Sequence, residues 1–330
     1  MLKNSSLEKL LNSKNLLAFS AGVDSTALFF ILLQNNINFD IAIVNYNIRK
    51  QSKEEVEYAQ ELAHKHNLKC HILNAKRIDK NFEAAAREIR YDFFEELIKE
   101  YSYKNLITAH HLGDRFEWML MQFCKGAGCA ELAGMQEATS RYNYTLLRPL
   151  LHLGKQELLS YLNEKRIKYF QDESNLDEDI KRNSFRHNHT TPLLNKYLNG
   201  IKKSFEYLDE DRAELIQETE LKAVGNFAYF KSSANSRSDI FILDKYLKSL
   251  AFLLSAKERE LLKSEKTLVV GRKFVINQEH GFIFIAPFIK SEKLSKEFKE
   301  KMRLLQVEPK LRAYLSQNRD ALEVITQLLS

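Results

Sequence analysis

The sequence predicts an α/β fold, with a doubly wound, mainly parallel sheet followed by a helical segment and a small α+β C-terminal domain. Three observations carry this expectation. Short apolar runs, often β-branched, alternate with stretches of helical period through the first half of the chain. A turn of small residues joins the first such run to the first helical stretch. Beyond residue 224 or so the composition shifts toward short strand signals with turns between them. The expected division is an α/β domain over residues 1–195, a helical linker or partner-contacting segment over 196–250, and a small domain over 251–330.

Residues 16–19, 39–46, 69–73 and 105–109 read as strands, and 26–34, 53–66 and 82–101 as the helices between them. In the last of these, Phe82, Ala86, Ile89, Phe93 and Leu97 make the expected apolar stripe. Such alternation implies a parallel sheet covered on both faces, with ligands bound past the strand C-termini where strand order reverses. Three segments sit in that position: 20–25, 45–49, and 110 onward. Residues 154–166 read as another helix, 171–189 as mostly loop, and 192–224 as charged helix. Residues 267–270, 273–276 and 281–286 read as strands with turns at Gly271 and His280-Gly281, and the basic, Gly-free stretch 290–312 as helix.

A chain of 330 residues can bury a sizeable core and suits more than one domain. Fifty Lys and Arg against 44 Asp and Glu leave a net charge of +6, which permits a polyanionic partner without requiring one. Cys70, Cys124 and Cys129 form no C-x-x-C pair, which argues against a disulfide framework, a zinc site or an iron–sulfur centre. The longest apolar runs, 27–33 and 282–289, are too short to cross a bilayer, and residues 1–11 lack a signal-peptide core. The expectation is a soluble, cytoplasmic protein with no membrane partner.

The chemistry starts at Ser20-Ala21-Gly22-Val23-Asp24-Ser25. A tight turn from strand into helix presents unpaired N–H groups and a positive dipole end, which together make an anion site. No Lys follows the glycine, so the loop differs from the one that holds a transferred γ-phosphate. In Thr108-Ala109-His110-His111-Leu112-Gly113-Asp114-Arg115-Phe116-Glu117, a helix beginning near His111 sets His110, Asp114 and Glu117 along one face, just past a strand. Arg87 and Arg90 lie one turn apart, placed for bidentate phosphate contacts or for ordinary ion pairs with Glu83 and Glu88. Residues 148–151 (Arg-Pro-Leu-Leu), 172–175 (Asp-Glu-Ser-Asn) and 182–186 (Arg-Asn-Ser-Phe-Arg) bracket a polar loop able to close over a charged substrate.

Taken in order, these segments resemble the tRNA(Ile)-lysidine synthase family of N-type ATP pyrophosphatases, the PP-loop proteins of adenine nucleotide alpha hydrolase-like fold. That family shows S-G-G-x-D-S, an Asn-His-x-x-Arg stretch, A-R-x-x-R-Y, T-A-H-H-x-x-D-x-x-E-T, R-G-x-G, R-P-L-L, D-x-S-N and R-N-x-x-R. The matching segments here are 20–25, 45–49, 86–91, 108–118, 125–128, 148–151, 172–175 and 182–186, so the resemblance covers about residues 15–195. Five positions depart from the pattern: Ala21 stands for a Gly, Tyr46 for the His, Gly113 for an Asp, Trp118 for a Thr and Lys125 for an Arg.

The resemblance implies ATP and Mg2+ as cofactors. It also implies L-lysine and tRNA(Ile) with a CAU anticodon as partners, a homodimer, and ligation of lysine to C2 of the wobble cytidine through an adenylated intermediate. It implies that Ser20, Ala21, Gly22, Val23, Asp24 and Ser25 cradle the nucleotide, with Asp24 and Asp114 as metal ligands. Asp24, His110, Asp114, Arg90 and Arg182 take catalytic roles, and Arg87, Glu117, Asp172, Asn175 and Arg186 contact substrate. The basic residues from Lys290 to Arg303 are further candidates for phosphate contact. The alternatives are a tRNA thiolase of the same superfamily, disfavoured by the missing C-x-x-C, and a nonenzymatic RNA-binding protein.

Overall fold

A computed structural model of the chain describes residues 1–47, 51–78, 82–141, 143–171, 181–217, 219–290 and 293–329, with the backbone alone at 181 and 182. These fall into two compact units, Met1–Asp209 and Glu210–Ser330. The boundary lies inside a helix that is kinked at Tyr197, and strands begin soon after it, within the stretch 196–250 that the sequence suggests as a linker.

The first unit opens with helix α1 (Asn4–Leu11) and then alternates β1 (Asn15–Ala18), α2 (Val23–Gln34), β2 (Phe39–Asn45), α3 (Gln51–Lys65), β3 (Cys70–Asn74), α4 (Phe82–Tyr101) and β4 (Asn105–Ile107). Helix α5 (Leu112–Phe123), the short α6 (Cys129–Leu132), β5 (Ala138–Ser140), β6 (Thr145–Leu147) and α7 (Lys155–Glu164) follow. The strands form one sheet of order β3-β2-β1-β4-β6-β5, parallel except for the edge strand β5. The alternation read from the sequence is therefore present. Strands β5 and β6, three residues each, give no period long enough to read.

Successive side chains of β1 point to opposite faces. Leu17 packs with residues of α2, α3 and α7, and Leu16 with Phe94, Leu97 and Ile98 of α4. Both faces are thus covered, as a parallel sheet requires. On α4 Ala86 and Leu97 of the expected stripe are buried, Ile89 and Phe93 are partly buried and Phe82 is exposed, while Phe94 and Ile98 complete the buried face. Tyr91, Phe93 and Phe94 offer aromatics in two registers, and contact with the sheet selects between them.

Strands β1, β2 and β3 step one way across the sheet, and β4 then returns to the other side of β1. This reversal leaves a crevice between the C-terminal ends of β1 and β4, where the peptides leading into α2 and α5 diverge.

Within the stretch read as mostly loop, residues 181–189 are helical instead. Lys181–Phe185 form helix α8, Arg186–Thr190 a π-helical turn, and Thr191–Leu215 helix α9; residues 172–180 lie outside the described residues. Helix α9 stops short of 224, since Lys222–Val224 is strand β7.

The second unit continues with β8 (Phe227–Lys231), α10 (Ser236–Ser249), α11 (Ala256–Leu261), β9 (Thr267–Val270), β10 (Phe274–Glu279), β11 (Phe282–Pro287), α12 (Lys296–Leu304), α13 (Pro309–Gln317) and α14 (Arg319–Leu329). Its antiparallel sheet has the order β7-β8-β11-β10-β9, buried by α10 on one face and by α12 to α14 on the other. His280 and Gly281 both have positive φ, 49° and 76°, the primed turn that suits a two-residue hairpin. The helix expected over 290–312 is broken before Pro309, which begins α13.

Candidate active site

The loop after β1 is built around one left-handed residue. Ala21 has φ +57° and is fully buried, and its carbonyl accepts from Phe170 N at 2.9 Å. Gly22 follows as the N-cap of α2, with no side chain capping the helix, so its first-turn N–H groups are left for another acceptor. At φ −74° any residue fits Gly22, and an added Cβ would meet only Ser20 Oγ at 3.5 Å. A bare Cα there therefore serves the open side of the loop. Val23 packs into the core, so only its backbone faces the site. Ser25 Oγ accepts from Ser20 N at 3.2 Å, lies 3.1 Å from Ser20 Oγ and donates to Gly22 O at 3.3 Å. It staples the loop from inside, and Ser20 is the exposed hydroxyl.

Across the crevice, His111 is the N-cap of α5. Its Nδ1 accepts from Gly113 N at 2.9 Å, and its own backbone N donates to Asp114 Oδ2 at 3.0 Å. An Nδ1 that accepts leaves the ring proton on Nε2. That Nε2 points between two carboxylates, Asp24 Oδ2 at 3.8 Å and Asp114 Oδ2 at 3.6 Å. The imidazole is nearly buried, and it ties the loop after β1 to the start of α5. Gly113 makes this fold-back possible, because a Cβ there would lie 2.6 Å from His111 Cε1.

Two further cations converge. Lys155, the first residue of α7, places Nζ 3.4 Å from Asp24 Oδ2. Arg186, at the start of the π-helical turn, donates from Nε to Glu117 Oε2 at 2.9 Å and from Nη2 to Asp114 Oδ1 at 3.4 Å. Glu117 is almost fully buried, and this guanidinium offsets the cost of burying its charge. The structure therefore brings Asp24, Asp114, Glu117 and Arg186 into one network.

His110 lies before the helix and not on its face; its Nδ1 is 2.9 Å from Thr108 Oγ1. The expected row from His110 through Asp114 to Glu117 is thus a cap plus one helical step, with His111 as the partner of Asp114. Arg87 and Arg90 are exposed on α4, and Arg87 lies over the Tyr91 ring at 4.7 Å. Arg148 is buried beyond β6 and donates to Gln136 O at 2.8 Å and Thr139 Oγ1 at 3.0 Å; burial pulls its pKa below the usual guanidinium value. Asp172, Asn175 and the Arg182 side chain lie outside the described residues, as do positions 48 and 49 of the segment after β2.

Sequence reasoning missed His111 and Lys155. The His-His doublet directly after a strand was the available signal for the first. Lys155 had none, because its partner Asp24 is 131 positions away.

Asp24 Oδ1 is buried without a hydrogen-bond partner, an uncompensated site on a carboxylate. Among the described residues no three His, Cys, Asp or Glu side chains form a metal cage. Two carboxylates beside a phosphate-sized loop nonetheless suit Mg2+, which keeps waters and binds chiefly through substrate phosphates. No helix among the described residues is long and apolar enough to cross a membrane.

The model of the PP-loop domain family matches residues 2–193. A tRNA(Ile)-lysidine synthase of Helicobacter pylori (strain ATCC 700392 / 26695) is 45% identical over 312 residues, 94% of this chain and 91% of its own. Those of Campylobacter jejuni (strain RM1221) and Wolinella succinogenes are 42% and 43% identical, covering 95% and 93% of this chain and 96% and 94% of theirs. Among solved structures, the U34-tRNA thiolase NcsA of Methanococcus maripaludis is similar in fold alone, with TM-score 0.53 and 19% identity over 66% of this chain and 77% of that one. The parallel sheet, its loop at the switch point and these near full-length relatives agree, and the chain belongs to the tRNA(Ile)-lysidine synthase family of PP-loop proteins, ATP-binding ligases of tRNA processing.

Proposed function

We propose that this enzyme ligates L-lysine to C2 of the wobble cytidine of tRNA(Ile) with a CAU anticodon, consuming ATP and releasing AMP and pyrophosphate. The observation that carries this reading is the meeting of an uncapped helix N-terminus, the half-buried Asp24 and the His111–Asp114 cap past the C-terminal ends of β1 and β4. The names and coverage of the relatives support it.

In the first step the cytidine O2 attacks the α-phosphorus of ATP, and pyrophosphate leaves. The backbone N–H groups from Gly22 to Ser25 and the Ser20 hydroxyl receive phosphate oxygens, and Lys155 offsets their charge. Asp24 and Asp114 would hold Mg2+, which supplies Lewis-acid neutralisation of phosphate charge when bound. In the second step the ε-amine of lysine attacks C2, and AMP departs with the former O2.

The amine must shed a proton, and the two histidines differ here. His110 Nδ1 lies 2.9 Å from Thr108 Oγ1, which holds the ring at the end of β4, and His110 is the group proposed to take that proton. His111 carries its proton on Nε2 and is placed to donate. Arg87, Arg90, Arg182 and Arg186 serve phosphate or RNA backbone. Glu117, Asp172 and Asn175 are the polar groups available to the lysine ammonium, with Glu117 already engaged by Arg186. The homodimer implied by the resemblance belongs to the same proposal.

The test is incubation with tRNA transcripts, ATP, Mg2+ and labelled lysine. Label should enter only the CAU-anticodon isoleucine tRNA, with AMP and pyrophosphate as products, and Asp24→Ala should stop ATP consumption while RNA binding remains. Formation of ADP, or no lysine transfer, overturns the proposal. Incorporation of sulfur would support the thiolase alternative, which the curated relatives do not favour.

A further inference from the structure

Trp118 is the only tryptophan of the chain, and it is 45% exposed on α5, the helix whose N-terminus carries His111 and Asp114. The opposite side of that helix is occupied: Leu112, Phe116 and Leu120 pack with Leu198, Phe205 and Leu208 of α9. Asp114, Trp118 and Met121 follow at helical spacing on the outer side, and the exposed Lys125 comes just beyond the helix end. Trp118 therefore lies one turn, about 6 Å along the axis, from a carboxylate of the site. Its neighbour Glu117 is held by Arg186.

The indole is seated as well as exposed. A Cβ on Gly134, whose φ is +64°, would come within 3.0 Å of Trp118 Cδ1, so the ring edge rests on a bare backbone. A rigid aromatic face beside a charged site, with the exposed Lys125 just past the helix end to meet a phosphate, has the chemistry that receives an unpaired nucleobase. A half-exposed Trp that merely covered its own helix would need neither the seat nor the cation.

We propose that Trp118 is a stacking platform for an unpaired base of the RNA loop that carries the target nucleotide. The inference deepens the proposed function and rests on it. It also concerns this chain in particular, since the family motif has Thr at this position.

The test is a titration of the full chain with an RNA stem-loop bearing the CAU anticodon. Binding is followed by filter retention and, in parallel, by tryptophan emission, which reports Trp118 alone. The expected result is saturable quenching with the same midpoint as retention. Trp118→Ala should weaken binding about 10- to 100-fold, the range of base–aromatic stacking, whereas Trp118→Phe should keep most of the affinity. The thermal midpoint of each variant separates lost affinity from lost folding. Unchanged emission at saturation, or parental affinity in folded Trp118→Ala, overturns the stacking role while lysine transfer by the parent leaves the proposed function standing. A parent chain that neither binds the stem-loop nor transfers lysine overturns both.

Discussion

Ala21 holds a left-handed backbone, φ +57°, that costs an L-residue about 1 kcal/mol and a glycine almost nothing. Ala21→Gly relieves that cost but gives up a fully buried methyl worth about 0.8 kcal/mol and loosens the unfolded chain, so stability should stay level or fall by less than about 1 kcal/mol. Calorimetry should show the thermal midpoint unchanged or lowered by about 2 °C, and a rise would show that the left-handed strain dominates. Gly113 presents the opposite trade. As an early helical residue it gains about 1 kcal/mol of helix propensity on replacement by Ala. The new methyl, however, falls 2.6 Å from His111 Cε1, and the flexible ring gives way before the backbone does. Gly113→Ala should leave stability within about 1 kcal/mol, the helix-propensity gain offsetting the lost His111 cap, yet lower kcat/KM for lysine transfer about 100-fold through displacement of His111. In a His111→Ala background the same substitution should cost little, and a full loss there would show that His111 is not the route.

Helix α5 is fixed through its N-terminal turns. Its start is set by the His111–Asp114 capping box, which is why a helix beginning near His111 was legible from the sequence. Its first full turn is anchored by Arg115, which donates to Ala133 O from Nε at 3.0 Å and Nη2 at 2.7 Å, and to Asp209 Oδ2 from Nη1 at 3.0 Å. The guanidinium also lies over the Phe205 ring at 4.4 Å. Arg115→Ala strips these contacts at once and should destabilise the first unit by about 3 kcal/mol, read as a drop in the denaturation midpoint. Arg115→Lys should recover only part of that, since an ammonium cannot make the bidentate pair. None of this was visible in the motif, because Arg115 and Asp209 stand 94 positions apart. The π-helical turn at Arg186–Thr190 was hidden for a related reason. Asn and His residues there carry weak local preference, and packing on α5 decides the conformation.

Across the whole first unit, half-buried histidines give stability a pH dependence. Burial holds His71 and His152 below the usual histidine pKa; His71 Nε2 is 2.9 Å from Tyr103 OH, and His152 Nε2 is 2.9 Å from Met1 O. The unfolded chain takes up protons near pH 6.5 that the folded chain resists, so stability is complete above that pH and falls as pH drops below it. Denaturation midpoints between about pH 7.5 and 5.5 should decline, and His71→Gln should flatten the slope. A slope unchanged in that variant would remove His71 from the account.

Local pattern settled the alternation of β1 to β4 with α2 to α4, the turn at residues 20–25 and the cap near His111. Each is written in neighbouring residues: apolar period, small side chains, a polar group at a helix start. Only the folded chain decided that Asp24, Asp114, Lys155 and Arg186 meet, that His111 stands between two carboxylates, and that Phe94 rather than Phe93 is buried. Strand order places the ends of β1 and β4 side by side, and sequence period carries no information about which strand lies next to which.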